Sequence, residues 1–145
     1  MSKNHRIALV VSQFNPEITA ELEANSLSAL KKAGVASKLI SVTRVPGAFE
    51  IPWACQKVIH ERKPHAVIAL GCIIRGETPH FDFIASACAD GIMEISLKHG
   101  VPVVFGVLTT NSTAQARARL GKGREAAQTA LQLLSVMSFP RRREP

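Results

Sequence analysis

The chain of 145 residues carries 46% apolar and 20% charged side chains, and 18 basic against 11 acidic residues leave a formal charge of +7. That length predicts one domain over residues 1–145, burying about 68–70% of its unfolded surface without disulfide or metal staples. The composition excludes a disordered chain, and no apolar run approaches the roughly 20 residues that span a bilayer. The basic residues are scattered and not interleaved with aromatics, so a nucleic-acid partner is not expected.

Met1 to Arg6 lead into an apolar stretch, Ile7–Val11, too short and too soon broken for a secretory signal. A cytoplasmic location is the expectation. Cys55, Cys72 and Cys88 are odd in number, widely spaced and set among apolar residues, and read as buried thiols. No Cys, His or acidic cluster has metal-ligand spacing, and no metal is expected. Only Arg141-Arg142-Arg143 gathers basic charge, in a tail over 139–145 read as solvated. A phosphorylated small substrate is a second, compatible reason for the basic balance.

In chain order, Arg6–Ser12 reads as a buried strand and Gln13–Pro16 as the loop after it. Glu17–Ala33 has helical spacing, with Ile18, Leu22, Ser26 or Leu27, and Leu30 on one face and Gly34 as the stop. Ser37–Val42 reads as a strand, Arg44–Gly47 as a loop, and Ala48–Ile59 as a helix that tolerates Pro52 in its first turn. Ala66–Leu70 is an apolar run suited to a strand covered on both faces, broken at Gly71. Phe81–Lys98 is the third helix and Pro102–Leu108 the fourth strand. Asn111 or Ser112 caps a short helix over Thr113–Leu120, Gly121–Gly123 breaks it, and Arg124–Met137 is the last helix.

Strands alternating with helices imply βαβ units and a mainly four-stranded parallel sheet. The expected fold is a three-layer α/β/α sandwich of flavodoxin-like type. The loops Gln13–Pro16, Arg44–Gly47, Arg75–His80 and Thr109–Ser112 then share one sheet edge, the carboxyl edge where open α/β sheets bind ligands.

The stretch from Val67 to Phe83 places Arg75, Glu77, Thr78, His80 and Asp82 at that edge. A loop entering a helix presents unpaired N–H groups to an anion, and His80 is the natural proton carrier. The plainer reading has Thr78 or Asp82 capping the helix and His80 at the surface. In Val45–Glu50, Ala48 to Glu50 offer N–H groups to a polyol, and Glu50 either accepts from hydroxyls or settles a helix N-terminus. Phe14, unusual in a polar loop, either stacks on a flat heterocycle or covers the core edge. Phe105 reads as strand packing, Arg117 and Arg119 as solvated charges, and Trp53 as packing in the core or a subunit contact. His5, His60, His65 and His99 read as surface residues. There is no GxGxxG after the first strand, no P-loop and no nucleophile elbow.

Val45-Pro46-Gly47-Ala48-Phe49-Glu50-Ile51-Pro52, followed by Gly71-Cys72-Ile73-Ile74-Arg75-Gly76-Glu77-Thr78-Pro79-His80-Phe81-Asp82, resembles the lumazine synthases of riboflavin biosynthesis. The resemblance continues through Val103–Thr110, Gln115-Ala116 and Lys122–Ala127, from Arg6 to about Leu134. It implies condensation of 5-amino-6-ribitylaminouracil with dihydroxybutanone phosphate, releasing phosphate and water, with neither metal nor redox cofactor. It further implies that Phe14 stacks on the pyrimidine, that Ala48, Phe49 and Glu50 meet the uracil and its ribityl chain, and that Cys72, Ile73 and Ile74 line the ring with backbone groups. Glu77 and Thr78 would hold phosphate and His80 would shuttle protons. Phe105 and Arg119 would come from a neighbouring subunit of a homopentamer, or a multiple of it. Between Arg119 and Lys122 the chain is shorter than many members of that family. Two other readings remain open: an archaeal-type riboflavin synthase, and a flavin- or lumazine-binding protein without turnover.

Overall fold

A computed structural model of the chain describes residues 4–137, so the 139–145 tail lies outside the described residues. Strands and helices alternate as β1 (Ile7–Ser12), α1 (Pro16–Lys32), β2 (Ile40–Val45), α2 (Ile51–Arg62), β3 (Ala66–Ile74), α3 (His80–His99), β4 (Val103–Thr110), α4 (Thr113–Arg117) and α5 (Lys122–Met137). The strands form one parallel sheet in the order β2-β1-β3-β4. Helices α1 and α5 cover one face and α2 and α3 the other. This is the three-layer α/β/α, flavodoxin-like arrangement expected of the sequence.

β3 shows why a continuous apolar run was needed. Ala66, Ile68, Leu70 and Cys72 enter the core under α1 and α5, while Val67, Ala69 and Ile73 enter the core under α2 and α3. A strand covered on both faces has no polar side. Leu70 is fully buried, so Leu70→Ala would cost about 2–5 kcal/mol in lost transfer energy and cavity.

Several expected boundaries moved, each for a physical reason. β3 does not break at Gly71 but runs to Ile74, because β4 goes on pairing with it up to Ile74 opposite Thr110. Glycine at 71 serves close packing instead, since a Cβ there would lie 2.6 Å from Ser12 Oγ. β2 lies later than Ser37–Val42, after a 3₁₀ turn over Ser37–Leu39. Its register against β1, from Ile7 opposite Ile40 to Ser12 opposite Val45, decides this. Being an edge strand, half-buried along most of its length, it carries no continuous apolar signal. Arg44 therefore belongs to the strand, where Nε donates to Glu23 Oε1 at 3.1 Å.

Ala48–Glu50 form a 3₁₀ turn before α2, which continues to Arg62. α4 stops at Arg117, its start capped by Ser112, whose Oγ accepts from Gln115 N at 3.1 Å. α5 begins at Lys122 and includes Gly123, where any Cβ would overlap the Leu22 carbonyl of α1. Trp53 is 67% exposed, which removes the core reading. Of the end-of-element histidines, His60 is exposed and His5, His65 and His99 are half-buried, and they pack in edge-to-face pairs, His5 with His65 and His60 with His99.

Candidate active site

The β1–α1, β2–α2, β3–α3 and β4–α4 connections meet at the carboxyl edge of the sheet. Beside it lies a cleft of about 510 Å³ lined by Phe14, Gly47–Glu50, Cys72–Ile74, Gly76, Thr78, His80, Phe81 and Ile84. Of the residues expected to serve a substrate, the structure brings together Phe14, Ala48, Phe49, Glu50, Cys72, Ile73, Ile74, Thr78 and His80. Glu77 belongs to the same loop but is exposed and outside the lining.

The Phe14 loop is held from beneath. Gln13 N donates to Val45 O at 2.8 Å and Phe14 N to Pro46 O at 3.0 Å, tying it to the end of β2. Asn15 takes the left-handed conformation (φ 63, ψ 60), which asparagine accepts more readily than most residues. Its side chain does not cap α1; Nδ2 donates instead to Cys72 O at 3.1 Å. Phe14 is left 70% exposed, a ring standing at the mouth of the cleft and not a cover for the core.

Opposite, Glu50 Oε1 accepts from Gly47 N at 2.9 Å, which closes the turn. Its turn-closing role is therefore real, and it coexists with a place in the cleft wall. Cys72 directs its side chain into the core under α1 and α5, so it meets the cleft with backbone, while Ile73 packs beneath it from the other face. Burial pushes the Cys72 thiol up to about 11. Cys55 and Cys88 are pushed up to about 12, again first by burial. None is poised as a nucleophile at neutral pH.

The N–H groups of Gly76, Glu77 and Thr78 meet no acceptor among the described residues, which suits an anion. Thr78 Oγ1 accepts from His80 N at 3.3 Å. Thr78 thus steadies the turn, although the helix cap itself is Pro79 and neither Thr78 nor Asp82 provides it. The His80 ring has no hydrogen-bond partner among the described residues and stands open to the cleft.

Phe105 and Arg119 are not in this cleft. They line a second groove of about 440 Å³ with Val107, Leu108, Thr109 and Lys122, along the outer side of edge strand β4. The two sets share no residue. Arg119 forms no ion pair among the described residues, whereas Arg117 Nη2 donates to Glu17 Oε1 at 2.6 Å. The short turn bearing Arg119 is anchored by Asn25 Nδ2, which donates to Leu120 O at 3.0 Å, and by Gly123 against Leu22.

Gly47, Gly76, Phe81 and Ile84 complete the cleft beyond the residues the sequence points to as ligand contacts. Phe81 and Ile84 had a signal: they stand one and four places after His80, on the helix side that turns to the sheet.

Fold and cleft together define a flavodoxin-like α/β protein with a candidate site at the carboxyl edge of its sheet. No helix among the described residues is long and apolar enough to cross a membrane, and none of their His, Cys, Asp and Glu gather into a metal-binding group. A family model described as 6,7-dimethyl-8-ribityllumazine synthase matches residues 4–138, and the chain belongs to that family. The family's activity is a transferase step of riboflavin biosynthesis.

Proposed function

We propose that the chain condenses 5-amino-6-(D-ribitylamino)uracil with 3,4-dihydroxy-2-butanone 4-phosphate to 6,7-dimethyl-8-ribityllumazine, releasing phosphate and water. The observation that carries this reading is the single cleft joining an exposed aromatic ring, polar first-turn backbone, open loop N–H groups and an unbonded histidine.

In this reading Phe14 stacks on the pyrimidine, and Cys72, Ile73 and Ile74 meet its edge with backbone groups. Ala48, Phe49 and Glu50 take the ring and ribityl hydroxyls, Glu50 through the carboxylate oxygen left over from Gly47. The phosphate sits on the loop N–H groups with Thr78 and Glu77. Holding both substrates in register replaces an entropy cost of about 7–11 kcal/mol. His80 carries protons between the reacting amine, the ketone oxygen and water, a factor of roughly 10²–10⁴. The residues require neither a metal nor a redox cofactor for these steps.

The cleft lacks a cation for the phosphate, and the same chain carries an unpaired Arg119 in a separate groove beside Phe105. We infer a homo-oligomer, a pentamer or a multiple of it, in which this groove of one subunit closes the cleft of the next. Exposed Trp53, Phe83, Met93 and Leu97 on α2 and α3 support burial against further copies. The match over residues 4–138 supports reading the chain as one catalytic domain, and a cytoplasmic location goes with it.

The open phosphate loop and free Arg119 favour this reaction over an archaeal-type riboflavin synthase, which uses no phosphorylated substrate. An absorbance assay with both substrates tests it. Lumazine should appear in step with released phosphate, above the uncatalysed background. Tight binding of a flavin or of the pyrimidine without turnover would contradict it and make this a binding protein.

A further inference from the structure

Arg75 directly follows β3 and opens the proposed phosphate loop, yet it does not line the cleft. Its backbone N donates to Thr110 O at 2.8 Å, fixing it to the end of β4. Its side chain reaches two further segments. Nε donates to Asn111 Oδ1 at 3.0 Å, and Nη2 donates to Asp82 Oδ1 at 3.4 Å. The guanidinium carbon lies 4.4 Å from the centre of the Phe81 ring, and that ring is part of the cleft wall. Asn111 is itself held, since its N donates to Gln115 Oε1 at 2.7 Å. A chain of contacts therefore runs from α4 through the β4–α4 connection to the first turn of α3.

That turn carries His80. Because no side chain bonds the His80 ring among the described residues, the imidazole goes wherever the turn goes. Ile84 and Ala85 pack the next turn against the core. Nearer the start, Thr78 bonds His80 N, but Thr78 belongs to the same loop and moves with it. Arg75 is the side chain that ties the turn to a different strand.

We propose that Arg75 is the positioning residue of the site: its guanidinium locks the first turn of α3, and with it His80, to the end of β4. The proposal rests on the functional reading above only where it concerns turnover. Its role is not bulk stability. The Arg75 and Asp82 side chains are 45% and 61% exposed, and exposed pairs of this kind contribute little. The role is register, to which catalysis is far more sensitive: a misplacement of about 1 Å can slow a reaction roughly 10²-fold. Arginine is required because one planar group must donate along two directions while stacking on a ring, which a lysine ammonium cannot do.

The test compares R75A, R75K and N111A with the wild type. R75A and R75K should each lower kcat about tenfold, with KM for both substrates kept within about twofold and the thermal midpoint nearly unmoved, the loss being one of alignment. N111A should lower kcat in the same direction, and R75A/N111A should be no slower than R75A, since both act through one contact chain. In imidazole NMR spectra, the His80 ring resonances should shift and broaden in R75A while those of His60 and His99 stay fixed. Wild-type kcat in R75K, additive losses in the double variant, or unmoved His80 resonances would overturn the proposal. So would a rise in KM for the phosphate substrate alone, which would make Arg75 a ligand. The NMR signal decides on Arg75 even if the wild type binds substrates without turnover, an outcome that would sink the functional reading alone.

Discussion

Two concave regions among the described residues, the cleft and the β4 groove, have similar volumes and different linings. The cleft under Phe14 and His80 has aromatic and aliphatic walls, open backbone donors and a histidine, but no arginine or lysine in its lining. The groove outside β4 has Phe105, two cations, Arg119 and Lys122, and one acid, Glu125, but no histidine. Each lacks what the other has. The proposed phosphorylated substrate needs both an anion site and a charge to balance it, and in the proposed reading these lie in two places that share no lining residue within one chain. Complementary halves on one protomer are what a head-to-tail ring requires, because every interface then joins one half to the other.

The sharpest way to break the comparison is to remove the group assigned to chemistry. His80→Ala should lower kcat by roughly 10²–10⁴-fold without abolishing turnover, because substrate alignment survives it. A wholly dead enzyme in steady-state kinetics would mean that alignment supplies little. Arg119→Ala should raise KM for the phosphate substrate about 10–100-fold, the loss of a charge-assisted contact. Arg117→Ala should leave that KM within about twofold, since Arg117 is already paired with Glu17. Equal effects at the two positions would contradict the assignment of Arg119.

Phe14→Ala should weaken pyrimidine binding about tenfold, in line with the loss of one stacking contact, and leave the phosphate substrate's KM unchanged. Thiol chemistry makes a smaller distinction. With all three thiols raised to about 11 or 12 by burial, the native protein should resist iodoacetamide at pH 8 and react at three sites once unfolded. Rapid labelling of Cys72 in the folded protein would mean that its side chain faces the cleft.

The smallest effect lies at the opposite edge of the sheet. Burial first, then the charge of Arg6 and the neighbouring His5, hold the His65 imidazole below its ordinary range, and its Nδ1 accepts from Arg6 N at 2.9 Å. Below about pH 6.5 the unfolded chain takes up a proton that the folded His65 resists, so stability falls on acidification through that range. His65→Gln should flatten the dependence of the thermal midpoint on pH there, without altering turnover.

Much of this was legible in the sequence where one residue pattern had one physical cause. Ala66–Leu70 suits a strand covered on both faces, and in a parallel sheet the loops after four strands share an edge. Glycine usually punctuates, so the local pattern ends the strand at Gly71. Here it clears space for Ser12, a neighbour fifty-nine positions earlier that no local pattern reveals. β2 lies three residues later than the sequence pattern suggests because an edge strand is fixed by its register with β1 and carries little periodicity of its own. Phe14 stood out as an aromatic in a polar loop, and its exposure agrees with the stacking reading. Phe105 and Arg119 had no such signal. Strand packing and a solvated helix explained them locally, and only the resemblance separated them from residues of the same type.

The central claim is that one working site draws on two chains, and subunit complementation tests it most directly. His80→Ala and Arg119→Ala chains, co-expressed in equal amounts, should form mixed rings in which roughly a quarter of the interfaces join two intact halves. Activity at low phosphate-substrate concentration should then rise well above either parent, towards a quarter of wild type. Mixed assemblies no more active than the average of their parents would contradict the account and place both residues within a single subunit's site.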